Sequence, residues 1–322
     1  MVLIKQLQKW GLTVLHIEKR YHMPRKVHIC TISGVVARNR ESQKLQAYLY
    51  MLADAASLQP DIVCLPECFI DMQGEEPVYS EDCAASTLEA LCGRARQMKS
   101  YIVAGSYEWI DSVKYNVAWL IGRNGELLGR YCKNHPVDTE ITGRNIRSGK
   151  DIPVFDLDFG RIGIAICFDI GWPEVWRVLG DKGAELVVWP SMYDGGFPLQ
   201  SYAWTHGYFI VSSSWDNHSR IIDKTGRVLH STSFWQGWAY GVVDLEKEFF
   251  HVGSCGHKDE TIRKILKKYG RDVIIESLTE ESYFTLESNN AAVTVPGLKE
   301  EFGLVNFKDF HQRQGEFQKR HV

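Results

Sequence analysis

Three segments of the chain end an apolar run on a side chain that can do chemistry. Leu65-Pro66-Glu67 sets an acid just past Asp61-Ile62-Val63-Cys64-Leu65, Arg130-Tyr131-Cys132-Lys133 ends on an amine, and Gly163-Ile164-Ala165-Ile166-Cys167-Phe168-Asp169 carries a thiol. Loops at strand ends are where α/β proteins build their active sites. A carboxylate, an ammonium and a thiol are the parts of a nucleophilic hydrolase. The ammonium favours the thiolate, the carboxylate takes the proton, and the ammonium then steadies an oxyanion. Taken singly, each has an ordinary structural reading, because a Cys ending a strand is usually core and a lone Glu or Lys is usually solvated. Spacing by itself does not bring the three together.

The elements that must position them are legible from periodicity. Residues 26–32 read as a first strand and residues 39–56 as a helix, with Leu45, Leu49, Leu52 and Ala56 on one face. A short buried strand at 61–65 is stopped by Pro66, a second helix covers 84–98, and 101–106 is the next strand. Residues 113–121 turn at Arg123-Asn124-Gly125-Glu126 into 127–130, and Asn-Gly between apolar runs is a hairpin signal. The second half repeats the style. Strands at 154–158 and 161–167 flank Phe159-Gly160, and a helix over 173–180 begins on a proline. A strand over 184–189 is stopped by Pro190, a helix spans 202–208, and further strands fall at 209–213, 220–222, 228–230 and 239–245. Strands alternating with helices, with several hairpins, imply an α/β layered fold with mixed sheets.

Composition bounds the rest. The 322 residues carry 37 Lys plus Arg against 40 Asp plus Glu, and 44% are hydrophobic. Such a chain can bury a large core, which excludes wholesale disorder, and a net charge of −3 offers no footprint for nucleic acid. No apolar run reaches the roughly 20 residues of a membrane span. Residues 1–25 form a basic arm (Lys5, Lys9, Lys19, Arg20 and Arg25 against Glu18) without the pattern of a signal peptide. Eight cysteines are too sparse for a disulfide framework. Neither Cys64 with Cys68 nor Cys255-Gly256-His257 has a second ligand doublet, so no structural metal is expected and reduced thiols in the cytoplasm are. A serine nucleophile elbow and a phosphate-binding loop are both missing. After Lys247 the chain turns polar and reads as an extension without a core of its own.

Read together, Leu65-Pro66-Glu67-Cys68-Phe69, Tyr131-Cys132-Lys133 and Ala165-Ile166-Cys167-Phe168-Asp169-Ile170-Gly171-Trp172-Pro173-Glu174 resemble the three signatures of the nitrilase superfamily, the carbon–nitrogen hydrolases. Val154-Phe155 before Phe159-Gly160-Arg161-Ile162-Gly163, then Trp189-Pro190-Ser191, then Ser219-Arg220-Ile221-Ile222-Asp223 follow in the family's order across about two-thirds of the chain.

The resemblance implies a four-layer αββα sandwich with mixed β-sheets, formed by residues 26–246, with 247–322 packing on that domain or on a partner subunit. It implies Cys167 as nucleophile, Glu67 as general base and Lys133 as the cation beside the oxyanion, with the backbone N–H of Phe168 as a second donor. A second glutamate follows the lysine in the family, and Glu140 is the candidate, with Asp138 as fallback. No cofactor and no metal are expected. The partners implied are a small amide, ureido or nitrile substrate and a second copy of the chain, as a homodimer or higher homo-oligomer; nucleic acid and membrane are not expected. Phe168-Asp169 after the cysteine resembles the amidase and N-carbamoyl branches, while nitrile hydrolysis, acyl transfer and a non-catalytic scaffold are the alternatives. Gly171-Trp172 replaces an arginine–aromatic pair found in many members, so no role of that arginine carries over. For the pocket, Tyr193 and Trp172 are the substrate-wall candidates, with Trp215, Trp235 and Trp238 nearby, and Arg144 and Arg147 are candidates to bind a substrate carboxylate.

Overall fold

The computed structural model describes residues 25–37, 44–70, 80–255 and 258–321. The basic arm at 1–24 and the first residues of the expected helix at 39–56 lie outside the described residues. In chain order the first half comprises β1 (Lys26–Ile32), α1 (Lys44–Ala55), β2 (Ile62–Cys64), α2 (Glu81–Met98), β3 (Tyr101–Ile110), β4 (Val113–Ile121), β5 (Leu127–Cys132) and α3 (Asp138–Arg144). The second comprises β6 (Val154–Asp156), β7 (Arg161–Ile164), α4 (Pro173–Asp181), β8 (Leu186–Ser191), α5 (Phe197–His206), β9 (Phe209–Ser214), β10 (Arg220–Ile222), β11 (Val228–Ser231) and β12 (Trp238–Asp244).

Two six-stranded sheets result, ordered β12-β1-β2-β3-β4-β5 and β11-β10-β9-β8-β7-β6. Each is parallel at its centre, β1-β2-β3 and β7-β8-β9, and antiparallel toward both edges. The sequence reason is visible in the strands. Parallel strands buried on both faces need continuous apolar runs, and β2 and β8 are buried at every position. The facing sheets bury Val27, Ile29, Val103, Leu120, Ile164, Val188 and Val211 between them. On the outer face of the first sheet, α1 and α2 contribute Leu52 and Leu91 to a core with Trp119. On the outer face of the second, α4 and α5 contribute Trp176, Leu179 and Leu199 to a core with Trp189. Helix, sheet, sheet and helix make four layers.

Pro190 does not stop its strand. β8 continues to Ser191, pairing Pro190 with Ser213 and Ser191 with Ser214 of β9. On the other side the ladder with β7 has already ended at Ile164–Val188, so Pro190 sits where a missing N–H is tolerated.

The chain after Lys247 also departs from the sequence reading. β13 (Glu248–His251), α6 (Lys258–Tyr269), β14 (Val273–Leu278), β15 (Tyr283–Ser288), α7 (Val295–Phe302) and α8 (Phe307–Lys319) include a three-stranded sheet, β13-β15-β14. This sheet and its helices bury Phe250, Ile265, Val273, Phe284, Leu286, Val295 and Leu298 in a core of their own. The lobe docks on the sandwich through Trp204, whose ring lies 5.3 Å from Phe249 and 5.4 Å from Tyr283, and through Lys247 on Asp223 at 2.7 Å.

Candidate active site

Glu67 sits in the turn after β2. Leu65 carries the strand ladder one step further by donating its N–H to Val103 O at 2.8 Å, and the chain then turns against β3. That turn needs Gly105 on β3, because a Cβ there would lie 2.4 Å from Glu67 Cα. The carbonyl of Glu67 is fixed from the other side by the indole N–H of Trp215, at 2.7 Å. Lys133 is the residue after β5, and its N–H donates to Asn116 O on β4 at 2.9 Å.

Cys167 opens the short 3₁₀ helix Cys167–Gly171, just past β7, with a left-handed φ of 44°. A non-glycine residue held there stores backbone strain, a feature that recurs where a nucleophile is presented on a sharp turn. Two groups hold the turn: Asp169 Oδ2 accepts the Ile166 N–H at 3.0 Å, and the Trp189 indole donates to Cys167 O at 3.2 Å.

The three residues converge, and a fourth joins them. Lys133 Nζ donates to Glu67 Oε1 at 2.8 Å and to Glu140 Oε2 at 2.7 Å, with Glu67 and Lys133 each 2% exposed and Glu140 7%. Glu140 lies in the first turn of α3, where its Oε2 also accepts the Val137 N–H at 2.9 Å. Asp138 is exposed on the same turn, its Oδ1 accepting the Thr139 N–H, so of the two candidates Glu140 is the one that meets Lys133. Asn116, which the sequence reading passed over, is 1% exposed and donates to Glu67 Oε1 at 2.7 Å and to Glu140 Oε1 at 2.6 Å.

The electrostatics follow from this ring of contacts. Burial by itself would lower the pKa of the Lys133 ammonium, but the charges of Glu67, Cys167 and Glu140 outweigh it and raise the pKa, so the cation persists. For Cys167 the balance runs toward the neutral thiol. Burial and then the charge of Glu67 push its pKa well above the ordinary 9.0, against the lowering effect of Lys133 and of a backbone hydrogen bond from Met192. Lys133 does favour the thiolate, as the sequence reading expected, but burial and the charge of Glu67 outweigh it.

Asp169 ties the two halves of the site together. It is fully buried and accepts from the Tyr131 hydroxyl at 2.8 Å, the His135 N–H at 3.0 Å and His135 Nδ1 at 2.9 Å, besides the Ile166 amide.

A cavity of about 310 Å³ opens above these groups, lined by Glu67, Lys133, Glu140 and Cys167 with Tyr107, Arg144, Phe168, Met192 and Tyr193. The phenol of Tyr193 is pushed up to about 12 by burial and by the charges of Cys167 and Glu67, so it faces the cavity neutral. Of the expected wall residues, Tyr193 is present and Trp172 is not. Trp172 instead stacks on His135, ring centroids 4.1 Å apart, because His135 is pinned to Asp169. Trp215 serves the Glu67 backbone, Trp235 is 72% exposed on another groove, and Trp238 lies in β12. Arg144 reaches the cavity, whereas Arg147 is exposed and outside it. A larger cavity of about 450 Å³ lies at the seam with the carboxy-terminal lobe, where Arg25 pairs with Glu185 and Lys224 donates to the carbonyls of Leu245 and Lys247. Among the described residues no three His, Cys, Asp or Glu side chains are grouped to hold a metal ion, and no helix is long and apolar enough to cross a membrane.

Comparison with known proteins agrees with this fold. The omega-amidase NIT2 of Homo sapiens is 26% identical over 224 residues, covering 61% of this chain and 81% of the relative. The omega-amidase NIT2-B of Xenopus laevis is 29% identical over 164 residues, and the chain spans 59% of its length. Among solved structures, an amidase from Nesterenkonia sp. superposes with a TM-score of 0.61 at 20% identity, covering 69% of this chain and 90% of that one, a likeness of fold. The sequence model of the carbon–nitrogen hydrolases matches residues 27–248, and the chain belongs to that family, within the nitrilase superfamily.

Proposed function

We propose that the protein hydrolyses a small amide through a thioester on Cys167. The observation that carries this reading is one buried ammonium, Lys133, shared by Glu67 and Glu140 beside a buried thiol. Cys167 Sγ attacks the amide carbon, forming the S–C bond while the thiol proton passes to Glu67 and the carbonyl π pair moves to oxygen. Lys133 has three N–H donors and uses two on carboxylates, which leaves one for the oxyanion. The backbone N–H of Phe168, next to the nucleophile, is the second donor. Collapse re-forms the carbonyl and breaks the C–N bond, and the nitrogen takes the proton from Glu67 and departs as ammonia or an amine. Water then attacks the thioester and gives a proton to Glu67. The second collapse breaks the C–S bond, and the sulfur recovers that proton. The cavity volume admits a small acyl group, and the similarity to omega-amidases supports amides over nitriles as its source.

The test is ammonia release from a panel of small amides, N-carbamoyl amino acids and nitriles, comparing wild type with Cys167→Ala. Release from the amides, lost in the variant, is the expected result. Release that survives in Cys167→Ala, or release from nitriles in preference to amides, would overturn the reading.

A further inference from the structure

The two oxygens of Glu67 have different surroundings. Oε1 accepts from Lys133 Nζ at 2.8 Å and from Asn116 Nδ2 at 2.7 Å, while Oε2 is buried with no hydrogen-bond partner among the described residues. A buried carboxylate oxygen left without a donor is costly, and a catalytic role is one reason a native site keeps such an oxygen. Asn116 creates this asymmetry. It stands directly across from Lys133 on the neighbouring strand, since Val117 pairs with Cys132 and Lys133 N–H donates to Asn116 O, so both side chains leave the sheet on the same face. Its amide nitrogen spends both hydrogens on the two glutamates, and its own Oδ1 has no hydrogen-bond partner among the described residues. The opposite amide orientation would set that oxygen against two carboxylates, so the side chain has one acceptable pose.

We infer that Asn116 is a positioning residue that saturates Glu67 Oε1 together with Lys133 and thereby presents Oε2 as the atom that takes the Cys167 proton. This rests on the thiol reading above and adds to it which oxygen is the base and what holds it there. The site carries two carboxylates against one ammonium, and an uncharged donor between the carboxylates lets both stay close without a second cation.

Iodoacetamide labelling followed residue by residue by mass spectrometry tests this without a known substrate. The sulfur displaces iodide, the S–C bond forms, and the thiol proton passes to Glu67. In Asn116→Ala and Asn116→Asp we expect the Cys167 labelling rate to fall at least about tenfold, with buried Cys30 and Cys64 unlabelled and partly exposed Cys83 and Cys92 as references. A residue that merely supports the fold would do the reverse, because its loss would open the core and speed labelling of Cys30, Cys64 and Cys167 together. Labelling of Cys167 at the wild-type rate or faster in folded Asn116→Asp overturns the inference. Should Asn116→Ala fail to fold, the isosteric Asn116→Asp decides alone, and failure of both overturns it by making Asn116 a stability residue. A wild-type Cys167 that resists iodoacetamide would instead remove the thiol reading itself.

Discussion

The Tyr131 hydroxyl donates to Asp169 Oδ2 at 2.8 Å, joining the last strand of one sheet to the Cys167 turn of the other. Both residues are fully buried, and the phenol is held well above its ordinary pKa by burial and then by the charge of Asp169. Tyr131 lies two residues before Lys133 and Asp169 two residues after Cys167, so this bond ties the strand that carries the cation to the turn that carries the thiol. Tyr131→Phe should cost about 2 kcal/mol, the scale of one hydrogen bond to a charged group. Asp169→Asn should cost more, about 3 kcal/mol, because its new amide N–H₂ would face donors. Urea unfolding checks both, and equal, negligible losses would show that the sheets are held in place by packing alone.

How much of this was legible depends on where each signal sits. Glu67, Lys133 and Cys167 each terminate an apolar run, so the sequence marks them as strand-end residues, and the family resemblance supplies their company. Asn116 lies mid-strand in β4, where polar residues usually face solvent. The available signal was its face: Asn116, Ala118 and Leu120 alternate along β4, and the latter two line the core between the sheets. Glu140 was already preferred to Asp138 through the family resemblance, but its contacts with Lys133 and Asn116 depend on which side of α3 meets β4, which is a tertiary fact. The carboxy-terminal lobe stayed hidden because its core is assembled from five short elements, β13, α6, β14, β15 and α7, none apolar enough to announce itself.

Lys133→Ala would leave Glu67 and Glu140 buried together without their ammonium. Breaking a buried pair in this way typically costs about 3–5 kcal/mol, and the lost oxyanion donor should lower kcat at least about 100-fold. Lys133→Ala combined with Glu140→Gln should regain part of the stability, since one uncompensated charge is gone, and none of the activity. Denaturation midpoints and single-turnover ammonia release separate the two effects. A double variant no more stable than Lys133→Ala would argue against carboxylate repulsion as the cause.

Stability should fall on the alkaline side. The Cys30 thiol is pushed from its ordinary 9.0 up to about 12 by burial, and Cys64 is raised well above 9.0 by burial as the leading cause. Once unfolded these thiols ionise near pH 9, while folded they keep their protons. Above that pH the unfolded state binds fewer protons, so unfolding becomes easier as pH rises, by up to about 1.4 kcal/mol per pH unit for each thiol. Urea midpoints measured from about pH 7 to about pH 11 should be level at first and then decline. Cys30→Ala should have a lower plateau and a shallower decline. An unchanged slope in that variant would mean that Cys30 does not contribute to the proton difference.

Arg144 lines the cavity proposed to take the acyl group. It extends from the end of α3 to the cavity, donates to the Tyr107 hydroxyl, and holds its guanidinium 5.9 Å from the centre of that ring. The aromatic bracket fixes the direction of a charge that would otherwise be free to snorkel outward. If the cavity takes the acyl group as proposed, a cation so placed should favour an acyl chain ending in a negative group, far from the reacting carbon. Arg144→Gln should therefore raise KM at least about tenfold for amides with a terminal carboxylate, while changing it less than about threefold for neutral amides of the same length. Equal rises for the two series would make Arg144 a packing partner of Tyr107 whose charge plays no part in selection.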